Sequence, residues 1–313
     1  MDKKTLPKLP IINFSEENLK AAVGTPNWSS TCANVRRAFE DYVCFIAVYD
    51  LIPKELRDEI FQKSEQLFNL PMETKMKNSN NKIPIFGYSF RQILESLGIE
   101  DSTNLEKVTS FSKLMWPPNG DHNFCEIVHG YTRLASQLGQ VVIKMIFESY
   151  GIGEQSNDQE MTYLLRLNKY RVPRDDEFKV GVRGHTDKTF ITIIDQNQVN
   201  GLQIQTKDEQ KWISVDFFPC SFVVMAGDAM LAWSNGRVHS PIHQVTMNGK
   251  ETRYSLGIFC HHKGIIKVAE ELIDEENPRC FNSFDHLGLL SFYSAEMAAN
   301  RFQGSYIKAY CGA

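Results

Sequence analysis

The chain has 313 residues, with 34 Lys plus Arg against 38 Asp plus Glu, a formal charge of −4, and 42 % apolar residues. That apolar fraction and balanced charge exclude a disordered chain, and a mildly acidic total lacks the strongly basic face of a dedicated nucleic-acid binder. The length allows a sizeable core, built as one large domain or two small ones.

Leu9 to Phe14 reads as a short strand behind Pro7 and Pro10. Thr31 to Tyr42 reads as helix, and Val43 to Val48, β-branched and aromatic, as strand. Pro53 to Asn69 is an amphipathic helix: Pro53 sits near its start, and Leu56, Ile60, Leu67 and Phe68 share a face. Leu70 to Asn104 is turn-rich and shows no clear period. The strongest helix runs from about Asn123 to Tyr150, where Ile127, Val128, Tyr131, Leu134, Leu138, Val141, Val142, Met145 and Ile146 keep a helical period before Gly151.

From Met161 short β-rich runs alternate with turn residues: Tyr163–Tyr170, Thr189–Ile194, Leu202–Gln205, Trp212–Val215, Phe222–Met225, His243–Met247 and Tyr254–Cys260. That spacing predicts an antiparallel barrel or jelly roll. Ser283 to Phe302 reads as helix again. Without an internal repeat, low-complexity tract or linker, the expectation is a single α+β domain over residues 1–313. It would comprise an N-terminal helical and strand region (1–105), a jelly-roll core with its supporting helix (106–265) and a C-terminal helical segment (266–313).

The opening Met1-Asp2-Lys3-Lys4 run is not followed by an apolar h-region, so no secretory signal is expected. The longest apolar stretch, Phe217 to Trp233, is interrupted by Pro219, Gly227 and Asp228 and is too short to span a bilayer. Seven cysteines, at 32, 44, 125, 220, 260, 280 and 311, include no Cys-x-x-Cys. Reduced thiols in the cytoplasm are expected, rather than a zinc site or disulfide framework. Cys311 is fourth from the end, but Gly312 is not aliphatic, so prenylation is not expected.

The chemistry lies in the second half. His185-Thr186-Asp187 is a His-x-Asp triplet, whose two ligand-type side chains face the same way in extended backbone. Alone it is weak, arising by chance about 0.4 times in such a chain. Three features stand at compatible spacing: His243 in a β-like run, Arg253 ten residues later, and Ser255 two beyond that on the same strand face. Upstream, Asn168-Lys169-Tyr170 ends the first strand of the β region. Two imidazoles and one carboxylate on one face of a metal make the facial triad of non-haem Fe(II) oxygenases, with adjacent coordination positions left open. A 2-oxo acid can chelate through two of them and leave one for O₂. Its far carboxylate needs a fixed bidentate cation, which Arg supplies better than Lys. Ser255 adds a hydroxyl beside Arg253, and Tyr170 can reach the same carboxylate.

With these motifs the sequence resembles the plant 2-oxoglutarate/Fe(II)-dependent dioxygenase superfamily. The likeness includes Leu9-Pro10-x-Ile12, Leu70-Pro71-x-Glu73-x-Lys75 and Gly87-Tyr88, and so covers nearly the whole chain. The runs Asn168 to Pro173, His185 to Lys188, Val224 to Asp228, Trp233 to Arg237 and Phe284-Asp285-His286 resemble the glucosinolate-side-chain-modifying and auxin-oxidising branch. The resemblance implies a distorted double-stranded β-helix, with Fe(II) on His185, Asp187 and His243. It places 2-oxoglutarate on Arg253, Ser255, Tyr170 and Asn168, and ascorbate as a supporting reductant. It implies decarboxylation to succinate coupled to oxidation of a small plant metabolite, in a monomer. Because Asp187 is retained, a halogenase is not implied. Oxidation of an auxin-type hormone is a second reading, and a non-catalytic metabolite-binding protein a third.

Alternation places further residues. Arg166 shares a strand face with Asn168 and Tyr170; turned inward it meets either a ligand anion or a local carboxylate, since an unpaired buried guanidinium is costly. Phe259 and His261 share a face with Arg253 and Ser255, Phe259 as a substrate wall and His261 at the pocket mouth. Ser110 and Ser112 are placed on a pocket-facing segment before Trp116. His239 competes with His243 as distal ligand, but Pro241 disfavours a regular element through it. His122 and His129 fall off the apolar stripe of the long helix and read as solvated, and His286 reads as structural. Trp116, Trp212 and Trp233 read as core or shell.

Overall fold

The computed structural model describes residues 8–19, 24–153, 160–207, 210–299 and 304–313. Its helices are α1 (Glu16–Leu19), α2 (Pro26–Arg37), α3 (Lys54–Phe68), α4 (Met72–Met76), α5 (Leu105–Met115), α6 (His122–Ser149), α7 (Asp228–Trp233), α8 (His286–Ala299) and α9 (Tyr306–Cys311). The expected end of the C-terminal helix, Phe302, and the opening residues read for a signal lie outside the described residues. No described helix is long and apolar enough to cross a membrane.

The long helix α6 starts where Asp121 accepts a 3.0 Å hydrogen bond from the Phe124 amide, and Lys63 of α3 pairs with the same aspartate at 2.8 Å. The short helices α1, α4, α7 and α9 and the longer α5 have no counterpart in the sequence reading. In α5 the Asn104 side chain caps the Glu106 amide at 2.9 Å, and Val108, Phe111 and Met115 keep a buried helical period.

The strands, numbered along the chain, form a larger sheet in the order β1 (Ile11–Asn13), β2 (Cys44–Val48), β10 (Ser221–Ala226), β7 (Ile191–Gln196), β12 (Arg253–His262), β5 (Met161–Tyr170), β4 (Leu94–Ile99) and β3 (Ser89–Arg91). A smaller sheet runs β6 (Val180–His185), β11 (His243–Thr246), β8 (Leu202–Gln205) and β9 (Trp212–Ser214), and β13 (Ile265–Ile266) pairs with β14 (Phe284–Asp285). Apart from parallel β1 and β2, the pairings are antiparallel. The two sheets form the expected double-stranded β-helix. Strands β3, β4, β6, β13 and β14 are additions to the sequence reading, β14 lying at the start of the segment expected to be helix from Ser283, and the segment expected to be turn-rich, Leu70 to Asn104, contributes the edge strand β3, its neighbour β4 and α4.

Register decides what each face carries, because residues directly opposite on paired strands point the same way. Leu256, Ile258 and Cys260 of β12, Leu165 and Leu167 of β5, and Ile191 and Ile193 of β7 share the outer face and are at most 2 % exposed. They pack with Val128, Leu138, Val142 and Ile146 of α6 in the main core. Full burial of each such side chain contributes roughly 1.5–3 kcal/mol. The alternate residues turn inward: Arg253, Ser255, Gly257, Phe259 and His261 of β12 oppose Tyr170, Asn168, Arg166, Leu164 and Thr162 of β5. A second core, including Tyr170, Ile204, Met225 and Met247, fills one end of the space between the sheets. A third, with Ile83, Phe86, Leu164 and Leu290, closes the other. The polar inner face lies between them.

Candidate active site

His243 of β11 stands directly opposite His185, the last residue of β6, so the pairing of two strands brings the imidazole centroids to 4.3 Å. Asp187 follows in the loop after β6. Asp187 Oδ1 lies 3.6 Å from His185 Nε2 and 3.7 Å from His243 Nε2. Among the described residues these three form the group able to hold a metal, with ligand atoms all within 4.8 Å of one another.

The outward atoms of each ligand are already engaged. His185 Nδ1 is 2.9 Å from the Arg183 carbonyl, and His243 Nδ1 is 3.2 Å from the Pro241 carbonyl. These contacts assign Nδ1–H donation to the carbonyls and leave both Nε2 lone pairs converging. Asp187 Oδ2 accepts from Thr192 at 2.7 Å, which leaves Oδ1 for the same centre. Burial and the neighbouring His243 hold His185 down to about 4, so at neutral pH it is an uncharged ligand. Two neutral nitrogens and one carboxylate oxygen on one side of an open space suit a divalent first-row metal.

The loop bearing Asp187 is braced from behind. Lys188 pairs with Asp228 at 2.7 Å, Thr186 donates to Asp228 at 3.0 Å, and the Asp228 amide donates to the Asp187 carbonyl at 2.8 Å. His239, the competing histidine, faces Lys207 and Glu40 instead of the triad. His286 is structural: it accepts from the His262 amide at 2.9 Å and meets the Lys188 carbonyl at 2.8 Å. His122 is exposed as expected, whereas His129 is half-buried and bonded to the Thr103 carbonyl at 3.1 Å.

Arg253 is 1 % exposed. Gln196 of β7 accepts from its Nε at 3.0 Å and Nη2 at 2.8 Å, Nη1 reaches Ser255 at 3.2 Å, and the guanidinium lies 4.9 Å over the Tyr170 ring. No carboxylate among the described residues pairs with it. Burial pushes Tyr170 up, so its hydroxyl stays protonated and able to donate. The Tyr170 ring fits because residue 181 on the facing strand is glycine: a Cβ there would stand 2.6 Å from Tyr170 Cδ1. Asn168 accepts from Ser96 at 2.5 Å, which spends its carbonyl and leaves its amide nitrogen as donor.

Arg166 lies on the inner face between two glycines, Gly98 and Gly257. The local carboxylate allowed for it is not there among the described residues: it donates to the Ile85 carbonyl and, at 3.0 Å, to Ser89 Oγ. Phe259 is half-buried, and its ring folds over Gly257, where a Cβ would be 2.5 Å from Phe259 Cε2. It stands directly opposite Thr192, beside the metal ligands. His261, expected at a pocket mouth, is instead 2 % exposed, between Phe86 and His286.

Ser110 and Ser112 require correction. Both sit on α5, where Ser110 bonds back to the Glu106 carbonyl at 2.8 Å and Ser112 receives the Asp121 amide at 2.7 Å. Their hydroxyls serve helix geometry, not the triad. Thr192 and Gln196 went unread. The signal was present: in the apolar run Ile191–Gln196 the polar Thr192 and Gln196 share one parity, and that parity faces inward.

Residues 161–262 match the 2OG-Fe(II) oxygenase superfamily, and residues 9–119 match the N-terminal region of non-haem dioxygenases in morphine synthesis. The chain is 43 % identical over 313 residues to the probable 2-oxoglutarate-dependent dioxygenase AOP1.2 of Arabidopsis thaliana, covering 97 % of this chain and 95 % of that protein. It superposes on the rice dioxygenase for auxin oxidation with a TM-score of 0.80 at 26 % identity, over 97 % of this chain and 100 % of the other. The fold is also that of JOX2 in complex with 2OG, Fe and JA, with a TM-score of 0.76 at 22 % identity, covering 97 % and 89 %.

Proposed function

The chain belongs to the 2-oxoglutarate/Fe(II)-dependent oxygenase superfamily, and on that premise we propose that it oxidises a small plant specialised metabolite. It is a 2-oxoglutarate-dependent dioxygenase using Fe(II), for which the donor set of His185, Asp187 and His243 fits. The observation that carries the residue assignment is Arg253, a fully buried cation with neutral partners on the inner sheet face that also carries Thr192, the residue bonded to Asp187. A buried charge without a counter-ion is costly, and a dicarboxylate co-substrate supplies the missing anion.

When bound, Fe(II), 2-oxoglutarate and O₂ together would supply a two-electron oxidant for the substrate, with 2-oxoglutarate leaving as succinate and CO₂. The chain's own residues do the positioning. Arg253 and Ser255 hold the far carboxylate, with Tyr170 and Asn168 donating from the neighbouring strand. Gln196 fixes the guanidinium plane, and Thr192 fixes the Asp187 carboxylate. Phe259 shields the reacting side from water.

The test is succinate release with Fe(II), 2-oxoglutarate and a metabolite panel, alongside Fe(II) titration of His185→Ala. Turnover dependent on one panel member supports the reading. Unchanged Fe(II) affinity in His185→Ala would remove the metal assignment. Oxidation of an auxin-type hormone is the second reading, favoured by the likeness to the rice auxin-oxidising enzyme, and indole-3-acetate therefore belongs in the panel.

A further inference from the structure

We propose that Arg166, Ser89 and Arg91 form a subsite for the carboxylate of an amphiphilic substrate whose apolar body rests on Phe259. This rests on the oxygenase reading above and names the substrate class that site accepts: small organic acids with an apolar or aromatic body.

Four observations support it. A guanidinium has five N–H donors, and Arg166 gives one to the Ile85 carbonyl and one to Ser89. Three remain without a protein acceptor among the described residues, on a side chain that is 8 % exposed. Second, Arg91, exposed at the end of β3, adds another cation within electrostatic reach of Arg166. It sits two residues beyond Ser89 on β3, hence on the same strand face, and makes no ion pair among the described residues. Burial, partly offset by Tyr170 and reinforced by Arg91, pushes Arg166 down to about 10, which leaves it charged at neutral pH.

Third, the nearest acid on the adjoining strand is committed elsewhere. Glu95 projects to the opposite face of β4 and is held by Lys75 and by the Tyr88 hydroxyl. Two neighbouring guanidiniums without a carboxylate repel each other, and an incoming anion relieves both that repulsion and the cost of burial. Fourth, Phe259 stands one pleat repeat along the sheet from Arg166, roughly 7 Å, in the row that carries Thr192. Its other neighbours are Phe86, Leu164 and Leu290, all apolar. An acid gripped at Arg166 therefore lays its hydrocarbon across Phe259, next to the triad.

The subsite adjoins that of the co-substrate at Tyr170, which acts electrostatically on Arg166, while Arg253 lies four residues from Gly257 on β12 and takes Gln196 and Ser255 as its partners.

The experiment uses the full chain with Fe(II) and 2-oxoglutarate under anaerobic conditions. Indole-3-acetate and phenylacetate are titrated against their primary amides, and binding is read from the change in the visible Fe(II)·2-oxoglutarate charge-transfer band. The expected result is acids bound about tenfold tighter than amides or better. Arg166→Gln brings that ratio close to one and Arg91→Gln reduces it, with a smaller change in 2-oxoglutarate affinity than in acid affinity in both. Equal affinity for acid and amide, no binding of either acid, or an unaltered ratio in both variants overturns the proposal. The acid-to-amide ratio of the unaltered protein keeps it testable should Arg166→Gln fail to fold. If the charge-transfer band itself does not form, the oxygenase reading and the subsite fall together; if the band forms and the acid preference is absent, the subsite alone falls.

Discussion

Thr192 Oγ1 donates to Asp187 Oδ2 at 2.7 Å, and this contact ties the larger sheet to the loop that carries the metal carboxylate. Because Thr192 has one hydroxyl proton and gives it to Asp187, the 2.8 Å contact between Thr189 Oγ1 and Thr192 Oγ1 must run from Thr189 to Thr192. A two-step donor chain thus fixes which carboxylate oxygen is left for the metal. The two imidazoles are fixed from the other sheet by the backbone carbonyls of Arg183 and Pro241, each two residues upstream. All three ligands are held before any metal arrives.

Removing that donor tests the point. Thr192→Val keeps the volume and deletes the hydroxyl, so Asp187 is freed to rotate. Fe(II) affinity should fall by about 10- to 100-fold, the usual effect of deleting a hydrogen bond to a metal ligand. Anaerobic Fe(II) titration measures it, and an unchanged affinity would show that the loop bracing by Lys188 and Asp228 suffices.

Arg253 and Gln196 should behave as a unit. Arg253→Lys keeps a charge but loses the planar fork, so KM for 2-oxoglutarate should rise more than KM for the oxidised substrate. Gln196→Leu removes the acceptor that receives both Nε and Nη2. It should raise the same KM and cost about 1–3 kcal/mol of stability, because a buried donor pair loses its partner. Steady-state kinetics with each ligand varied in turn separates the two constants. Equal rises in both would argue that Arg253 shapes the whole cavity.

The readable and unreadable parts of this protein divide on a physical basis. His185, Asp187, His243, Arg253 and Ser255 could be read because their spacing follows from strand pairing and few other chemistries want those side chains together. The long helix α6 was readable because its burial is periodic. Strand β6 was not: Val180-Gly181-Val182-Arg183-Gly184-His185 has two glycines and is largely unburied, so no apolar alternation marks it. Strands β3 and β4 sit at the sheet edge, where Glu95, Ser96 and Gly98 break the pattern for reasons of partner and packing. Ser110 and Ser112 differ from expectation because the Asn104 cap starts a helix there, and both hydroxyls are taken by backbone groups of α5 and of the turn before α6.

The two glycines that admit aromatic rings should separate the two ligands. Gly181→Ala would push on the Tyr170 ring, and Gly257→Ala on the Phe259 ring, with would-be Cβ contacts of 2.6 and 2.5 Å. The first should raise KM for 2-oxoglutarate with little change in substrate preference. The second should change which metabolites are oxidised while the affinity for 2-oxoglutarate holds. A full panel screen of both variants measures this, and a reversed pattern would exchange the roles of the two rings.

Acid should destabilise the protein through His286. Burial lowers its pKa from the ordinary 6.5 to about 4, and its ring accepts from the His262 amide, a role that a protonated ring cannot fill. Between pH 6.5 and 4 the unfolded chain binds a proton that the folded one refuses, so stability is complete above 6.5 and falls as pH drops toward 4. At the lower end the loss from this residue is on the order of 3 kcal/mol. His286→Gln keeps an acceptor for His262 and a donor for Lys188 without a titrating ring, so its urea midpoint should vary less between pH 7.5 and 5 than that of the parent. His185 is held to about 4 as well, but it is present in both proteins and cancels in the comparison. Equal pH slopes for variant and parent would assign the acid sensitivity to other groups.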